Sequence, residues 1–154
     1  MATNKTKQLV LSSLKKKYLE LVSKEPELNQ QITEDEISEI VYNSNAIENS
    51  TITLIETSDI LNNNQITRKV DLREIYEVKN LGNVLNNISS KTEITVETIL
   101  KLHKILLTYI NDEISGRFRK SKEYVRVGSH LAPPPEFVEG LIQKTILEYI
   151  SDDN

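Results

Sequence analysis

An all-α fold of about six helices, interrupted by one short β-hairpin, is what this sequence predicts. Three observations predict it. Only four of the 154 residues are glycine and four proline. Apolar residues recur at i, i+3 and i+4 along most of the chain, the spacing of one buried helix face. That pattern stops once, over 111–132, where two of the four glycines fall beside a short run of β-type residues.

The elements follow in order. A first helix is expected over about 6–24, with Leu9, Leu14, Leu21 and Val22 inward, closed off by Pro26. A second is expected to begin at Thr33, where "TEDE" offers a capping box between Thr33 and Glu36. Ile37, Ile40, Val41 and Ile47 would be its buried stripe. "TLIE", from Thr53 to Glu56, repeats the capping logic and starts a short third helix ended by Asn62, Asn63 and Asn64. The fourth, "DLREIYEVKNLGNVLNNI", gathers Leu72, Ile75, Leu81, Leu85 and Ile88 on one side. The fifth, "TVETILKLHKILLTYI", does the same with Val96, Ile99, Leu100, His103, Leu106, Leu107 and Ile110. Tyr124 to Val127 read as a hairpin or a strand lying against the helices. "PPPEFVEGLIQKTILEYI" is the last helix, with a proline in its first turn and Leu141, Ile142, Ile146, Leu147 and Ile150 available for packing.

Composition narrows the function classes. The length suits a single domain with its own core. Hydrophobic residues at 38% and charged ones at 27% describe a globular chain, and a 5% aromatic fraction without tryptophan leaves the core to Leu, Ile and Val. No cysteine means no disulfide, thiolate metal site or cysteine nucleophile. The N-terminus has no apolar run before a cleavage site, and nothing approaches a membrane span, so the cytoplasm is the default location. A net charge of −4 argues against a general nucleic-acid coat.

Few residues carry chemistry by themselves. His103 lies on an apolar face and is expected to be a core histidine with satisfied ring nitrogens. His130 has no carboxylate or second histidine at metal spacing, so no metal site is expected. Gly82, Gly116, Gly128 and Gly140 are isolated and form no phosphate-cradling loop. Lys15, Lys16 and Lys17 read as a wet helix face. Arg117, Arg119, Lys120, Lys122 and Arg126 crowd one irregular segment. Of these, Arg117, Arg119 and Lys120 are candidates to meet phosphates or an acidic protein segment, against the alternative of a solvated basic hairpin. No aromatic platform accompanies them, which argues against single-stranded nucleic acid. Ser44 and Glu48 are four apart on one helix side, and a carboxylate near a helix C-terminus opposes the macrodipole. A guanidinium elsewhere would be its natural partner.

"SNAIENSTITLIET" resembles the inhibitory segment of Fic-domain proteins, a family that transfers AMP from ATP to hydroxyl side chains of target proteins. The family motif is Ser or Thr, three residues, Glu, then Gly or Asn; Ser44, Glu48 and Asn49 match it in order. "TITLIET" is similar to the Thr-Leu-Thr-Leu-x-Glu-Thr that often follows. Downstream, "LHKILL" and "GRFRKSKEYVRVGSHLAPPPEFVEGL" are similar to the segment before the family's active site, with a Gly-x-x-Arg turn (Gly116, Arg119), a hairpin flap and a proline run. The resemblance spans roughly 30–150 and leaves the first helix unaccounted for.

One element of the family pattern is absent: His-x-Phe-x-Asp/Glu-Gly-Asn-Gly-Arg-x-x-Arg occurs nowhere in the sequence. The resemblance therefore implies an incomplete Fic-like helical domain, with N-terminal and inhibitory helices in 1–52 and the first part of the Fic core in 53–154, including a flap at about 116–131. It implies no catalytic residue and no cofactor in this chain, with ATP and Mg²⁺ belonging to the full family enzyme. Tyr124, Val125, Arg126, Val127 and Gly128 would pair with a protein substrate carrying a Ser, Thr or Tyr hydroxyl. Glu48 would hold the last arginine of the signature, with Ser44 and Asn49 shaping its helix. Such a chain is expected to be an inactive regulatory portion, truncated or naturally shortened, that meets a catalytic segment or forms a homodimer. The alternative is a non-catalytic module that inhibits a Fic enzyme in trans.

Overall fold

A computed structural model describes residues 4–88 and 92–152. Six helices run in order: α1 (Asn4–Lys24), α2 (Pro26–Ile47), α3 (Leu54–Ser58), α4 (Leu72–Asn87), α5 (Val96–Leu107) and α6 (Pro135–Asp152). Strands β1 (Arg126–Val127) and β2 (His130–Leu131) make one antiparallel hairpin, pairing Arg126 with Leu131 and Val127 with His130. The expected all-α class with a hairpin is what the chain adopts.

The core lies where α2, α3 and α4 meet. Val41, Ile52, Ile60 and Val78 are its buried centre, with Ile37, Leu61, Val70, Ile75, Leu81 and Leu85 packed around them. Thr53 caps α3 with a full capping box: its hydroxyl accepts from the Glu56 amide while the Glu56 carboxylate accepts from the Thr53 amide. α3 then widens into a π turn over Asp59–Asn63, and Asn64 stops it in the left-handed region at φ 55°. Gly82 lets α4 approach that turn closely, since a Cβ there would stand 2.5 Å from a Leu61 methyl. α4 also binds α5 through a polar contact: the buried Asn80 Nδ2 donates to the carbonyls of Leu106 (3.0 Å) and Thr108 (2.8 Å). These carbonyls belong to the last turn of α5, which has no intrahelical donors left for them.

Several expected details are corrected. The second helix starts at Pro26, not Thr33, because proline at a first helical position pre-sets φ and lacks only an amide the helix would not use. Thr33 therefore sits inside α2, where its hydroxyl donates to the Asn29 carbonyl (2.9 Å) instead of capping. Leu9, Leu14 and Leu21 are exposed, as α1 packs chiefly on α2, around Tyr18, Val22, Asn29 and Ile32. On α2 the core takes Ile37 and Val41, whereas Ile40 and Ile47 face outward; on α4, Leu72 and Ile88 lie beyond the packed middle and are exposed. On α6, Leu141 and Leu147 are exposed, and no other helix lies along it among the described residues.

Ile60 is 1% exposed and Leu147 68%. Ile60→Ala is therefore expected to cost about 2–5 kcal/mol through lost transfer energy and a residual cavity. Leu147→Ala should stay within about 0.5 kcal/mol. Urea unfolding of the two variants beside the parent chain checks both.

Candidate functional site

The last turn of α2 carries the site. Glu48 is the C-cap, and the next residue, Asn49, has φ 65°. The Asn49 amide donates to Ala46 O (3.1 Å) and the Ser50 amide to Asn45 O (3.0 Å), the two bonds of a Schellman stop. A left-handed residue is required at that position, and asparagine or glycine tolerates it best. Glu48 is thus the last residue before the reversal.

Glu48 gains nothing from its own helix, whose C-terminal end already concentrates carbonyl dipoles. Its carboxylate is exposed and has no cation paired with it among the described residues. Together with Asn45, Arg73, Glu77, Leu81 and Leu106 it lines a recess of about 280 Å³ formed by α2, α4 and α5. The one guanidinium there, Arg73, is engaged by Glu77 at 2.9 Å. Asn45 Nδ2 is buried in this region without a hydrogen-bond partner among the described residues. Ser44 lies one turn before Glu48, exposed.

The segment after the stop is strapped down. Thr51 donates from its amide and hydroxyl to the two oxygens of Glu74 (3.1 and 2.7 Å). Arg68 donates to both oxygens of Glu56 (2.6 and 3.1 Å) and to the Thr51 carbonyl (2.7 Å). Between these contacts Ile52 enters the core at 4% exposure. Hydrogen bonds from Arg68, then from Thr53, hold the Glu56 carboxyl down from 4.5 to about 2.

The basic segment is a folded turn. Gly116 has φ 66°, and its amide donates to His103 Nδ1 (3.2 Å), so His103 anchors the turn from α5. Arg117 makes a two-pronged ion pair with Glu123 (2.8 and 2.8 Å), whose oxygen also accepts from the Lys120 amide. Arg119 donates to the Pro133 carbonyl (2.8 Å), tying the entrance of α6 to the turn. Arg117 and Arg119, the candidates to meet phosphate or a partner, both donate within the chain in this structure. Of the three, the Lys120 ammonium makes no ion pair among the described residues.

Beyond this turn the hairpin stands open. Tyr124, Val125, Arg126, Val127 and Gly128 are all exposed, and Gly128 takes the positive-φ corner (59°) of the two-residue loop. Ala132 N donates to Val125 O (2.9 Å), extending the pairing by one bond. Among the described residues no three His, Asp or Glu are grouped to hold a metal.

No family model matches the chain. Among curated proteins it is 31% identical over 108 residues to the protein adenylyltransferase Fic of Drosophila willistoni, covering 68% of this chain and 21% of that protein. Among solved structures it superposes on Fic-1 of C. elegans with a TM-score of 0.62 and 25% identity, over 92% of this chain and 45% of that one. A Fic family protein from Desulfovibrio desulfuricans gives a TM-score of 0.62 at 23% identity, over 95% and 45%. The chain belongs to the Fic-domain family. It spans about a fifth of the length of the curated Fic relatives it matches.

The sequence offered Glu48 and Asn49 of this Fic chain as candidates but gave no sign of Arg68, Glu74 and Asn80. Their partners lie 12 to 28 residues away, and no local pattern marks such pairs. The basic spacing around Arg117 was visible, but the carboxylate that occupies it was not paired with it.

Two expectations follow. Asn49→Gly should leave stability unchanged or slightly raised, while Asn49→Val should lower it by about 1–2 kcal/mol, because a β-branched residue resists the left-handed region. Thermal melts of both variants decide this. Glu56 and Glu123 are each depressed from 4.5 to about 2, so their stabilisation is complete above the unfolded value and lost as pH falls through that window. The melting temperature should fall over that range, and less steeply in Glu56→Gln.

Proposed function

We propose that this chain is the N-terminal regulatory and target-positioning portion of a Fic-type protein adenylyltransferase. In that reading Glu48 is an inhibitory carboxylate awaiting the terminal arginine of a signature-bearing segment. The observation that carries it is the presentation of Glu48: an acid at the unfavourable end of α2, unpaired, aimed by a left-handed asparagine and backed by a strap. Ser44 and Asn49 support that helix end. The whole enzyme would use ATP and Mg²⁺ to place AMP on a Ser, Thr or Tyr hydroxyl of a protein. This chain supplies neither the base nor the phosphate-binding loop for that step, so no transfer is expected from it alone.

The hairpin gives the second part of the reading. Residues Tyr124 to Gly128 present an unpaired strand edge, and an extended target peptide adding to that edge would have its hydroxyl set in register by main-chain hydrogen bonds. Arg117, Arg119 and His103 support this role indirectly, as they build the turn on which the hairpin stands.

A second reading, inhibition of a Fic enzyme in trans, is favoured by one feature. Every contact that supports Glu48 comes from residues 45–74 of this chain, so its presentation needs no catalytic segment.

The test joins this chain to a segment bearing the signature and measures AMP incorporation into protein. A charge-assisted hydrogen bond contributes about 1.5–3 kcal/mol, so Glu48→Gly should raise transfer by about 10–100-fold. Unchanged transfer in that variant would remove the inhibitory reading. Adding the 154-residue chain separately to a Fic enzyme lacking its own inhibitory glutamate distinguishes the trans reading: activity falls only if that reading holds.

A further inference from the structure

The hairpin segment differs from the rest of the chain in charge. Between Glu113 and Glu136 the only acidic residue is Glu123, in a chain whose net charge is −4. Arg117, Arg119, Lys120, Lys122 and Arg126 all fall within that span. Glu123 is taken by Arg117 through its two-pronged ion pair. Arg119 is bonded to the neutral Pro133 carbonyl, which leaves its charge in place. Lys120, Lys122 and Arg126 are exposed and make no ion pair among the described residues. The strand edge described above is therefore the edge of a locally basic segment.

The register of the hairpin says which residue of β1 a further strand would meet. Ala132 N donates to Val125 O, so these two face each other as a hydrogen-bonded pair. Bonded and non-bonded pairs alternate along an antiparallel ladder. Arg126 and Leu131 are then the non-bonded pair, and Val127 and His130 the next bonded one. The amide and carbonyl of Arg126 accordingly turn away from β2, toward the open edge. A strand added there bonds both groups and sets one of its own residues directly opposite Arg126. That residue's side chain stands on the same face as the guanidinium, where an opposite charge is favourable and a like charge is not. Tyr124, two residues back, shares the face and is 59% exposed. Lys122 lies in the turn leading into it.

We propose that Arg126 makes the hairpin selective for acidic targets, taking an extended segment that places Asp or Glu opposite it. Arg119, Lys120 and Lys122 add a field of the same sign around that position. The occupant is a polypeptide, because the edge offers a main-chain donor and acceptor side by side, and another main chain answers both. The phosphates of a nucleic acid supply acceptors for the cations but no donor for the Arg126 carbonyl. The inference rests on the target-positioning reading of the hairpin and names the class of target that it would accept.

Two peptides test it on the 154-residue chain, followed through the amide NMR signals of the hairpin. They share an extended backbone and one central threonine; one carries glutamate and the other lysine at alternate positions. The glutamate peptide is expected to shift the Tyr124 and Arg126 amides and to bind roughly 3–30-fold tighter than the lysine peptide. The difference should shrink at high salt. Arg126→Glu should invert the order. Lys15→Glu, the same charge change at an exposed position of α1, should leave it intact. Equal binding of both peptides, or an order that Arg126→Glu does not alter, overturns the acidic preference while the hairpin keeps its target-positioning role. An order that Lys15→Glu inverts as well overturns it as a general attraction. If neither peptide moves the hairpin amides, the target-positioning reading falls and this inference with it. An oligothymidine strand that shifts these amides at lower concentration than the glutamate peptide overturns it in favour of nucleic acid.

Discussion

The candidate site depends on the strap that joins the end of α2 to the core. Thr51 is held from one side by Glu74 and from the other by Arg68, which is itself fixed by Glu56. These are mostly exposed contacts, and ion pairs of that kind contribute little to global stability. Their effect is local and geometric. Ser50 to Thr53 cannot continue the helix after Asn49, and the strap gives the amide and carbonyl of Thr51 partners while Ile52 is driven into the core. With α2 pinned on its core face and stopped at Asn49, the position of the Glu48 backbone is set while its side chain stays exposed. α3, whose capping box shares Glu56 with Arg68, begins where the strap ends. One carboxylate thus serves both as helix cap and as clamp.

A similar economy builds the hairpin turn. Gly116 adopts the left-handed region against α5, where a Cβ would stand 2.9 Å from Lys104 Cβ. His103 accepts the Gly116 amide from inside, and Glu123 gathers Arg117 and the Lys120 amide from outside. Two of the cluster's cations, Arg117 and Arg119, are thus bonded within the turn itself. It leaves the hairpin above it exposed on both faces, the condition a strand edge needs to accept a peptide.

The core is small for a chain of this length, and its extremities show it. Fully buried apolar residues come from α2, the strap, the π turn and α4, while α5 contributes half-buried ones and α1 and α6 almost none. Both terminal helices nevertheless carry apolar faces in their sequences.

The helical class, the hairpin between α5 and α6, the cap at Thr53 and the Ser44, Glu48, Asn49 spacing were legible in the sequence, because each rests on neighbours within four residues. Periodicity, capping and a left-handed stop are local properties, and local sequence determines them. Which helix faces are buried was a different matter. Leu9, Leu14, Ile40 and Ile47 have the same chemistry and spacing as Ile37 and Val41, yet only the latter pair meets other elements. Burial is a property of two surfaces, and one sequence pattern describes only one of them. The same reason hid Arg68 beneath Thr51, Asn80 under the end of α5, and Glu123 between the prongs of Arg117. The sequence by itself determined where the chain turns and which acid stands at the turn. Only the tertiary structure decided what that acid is braced against and which charges were already spent, since those depend on pairings across 6 to 28 residues that no local pattern encodes.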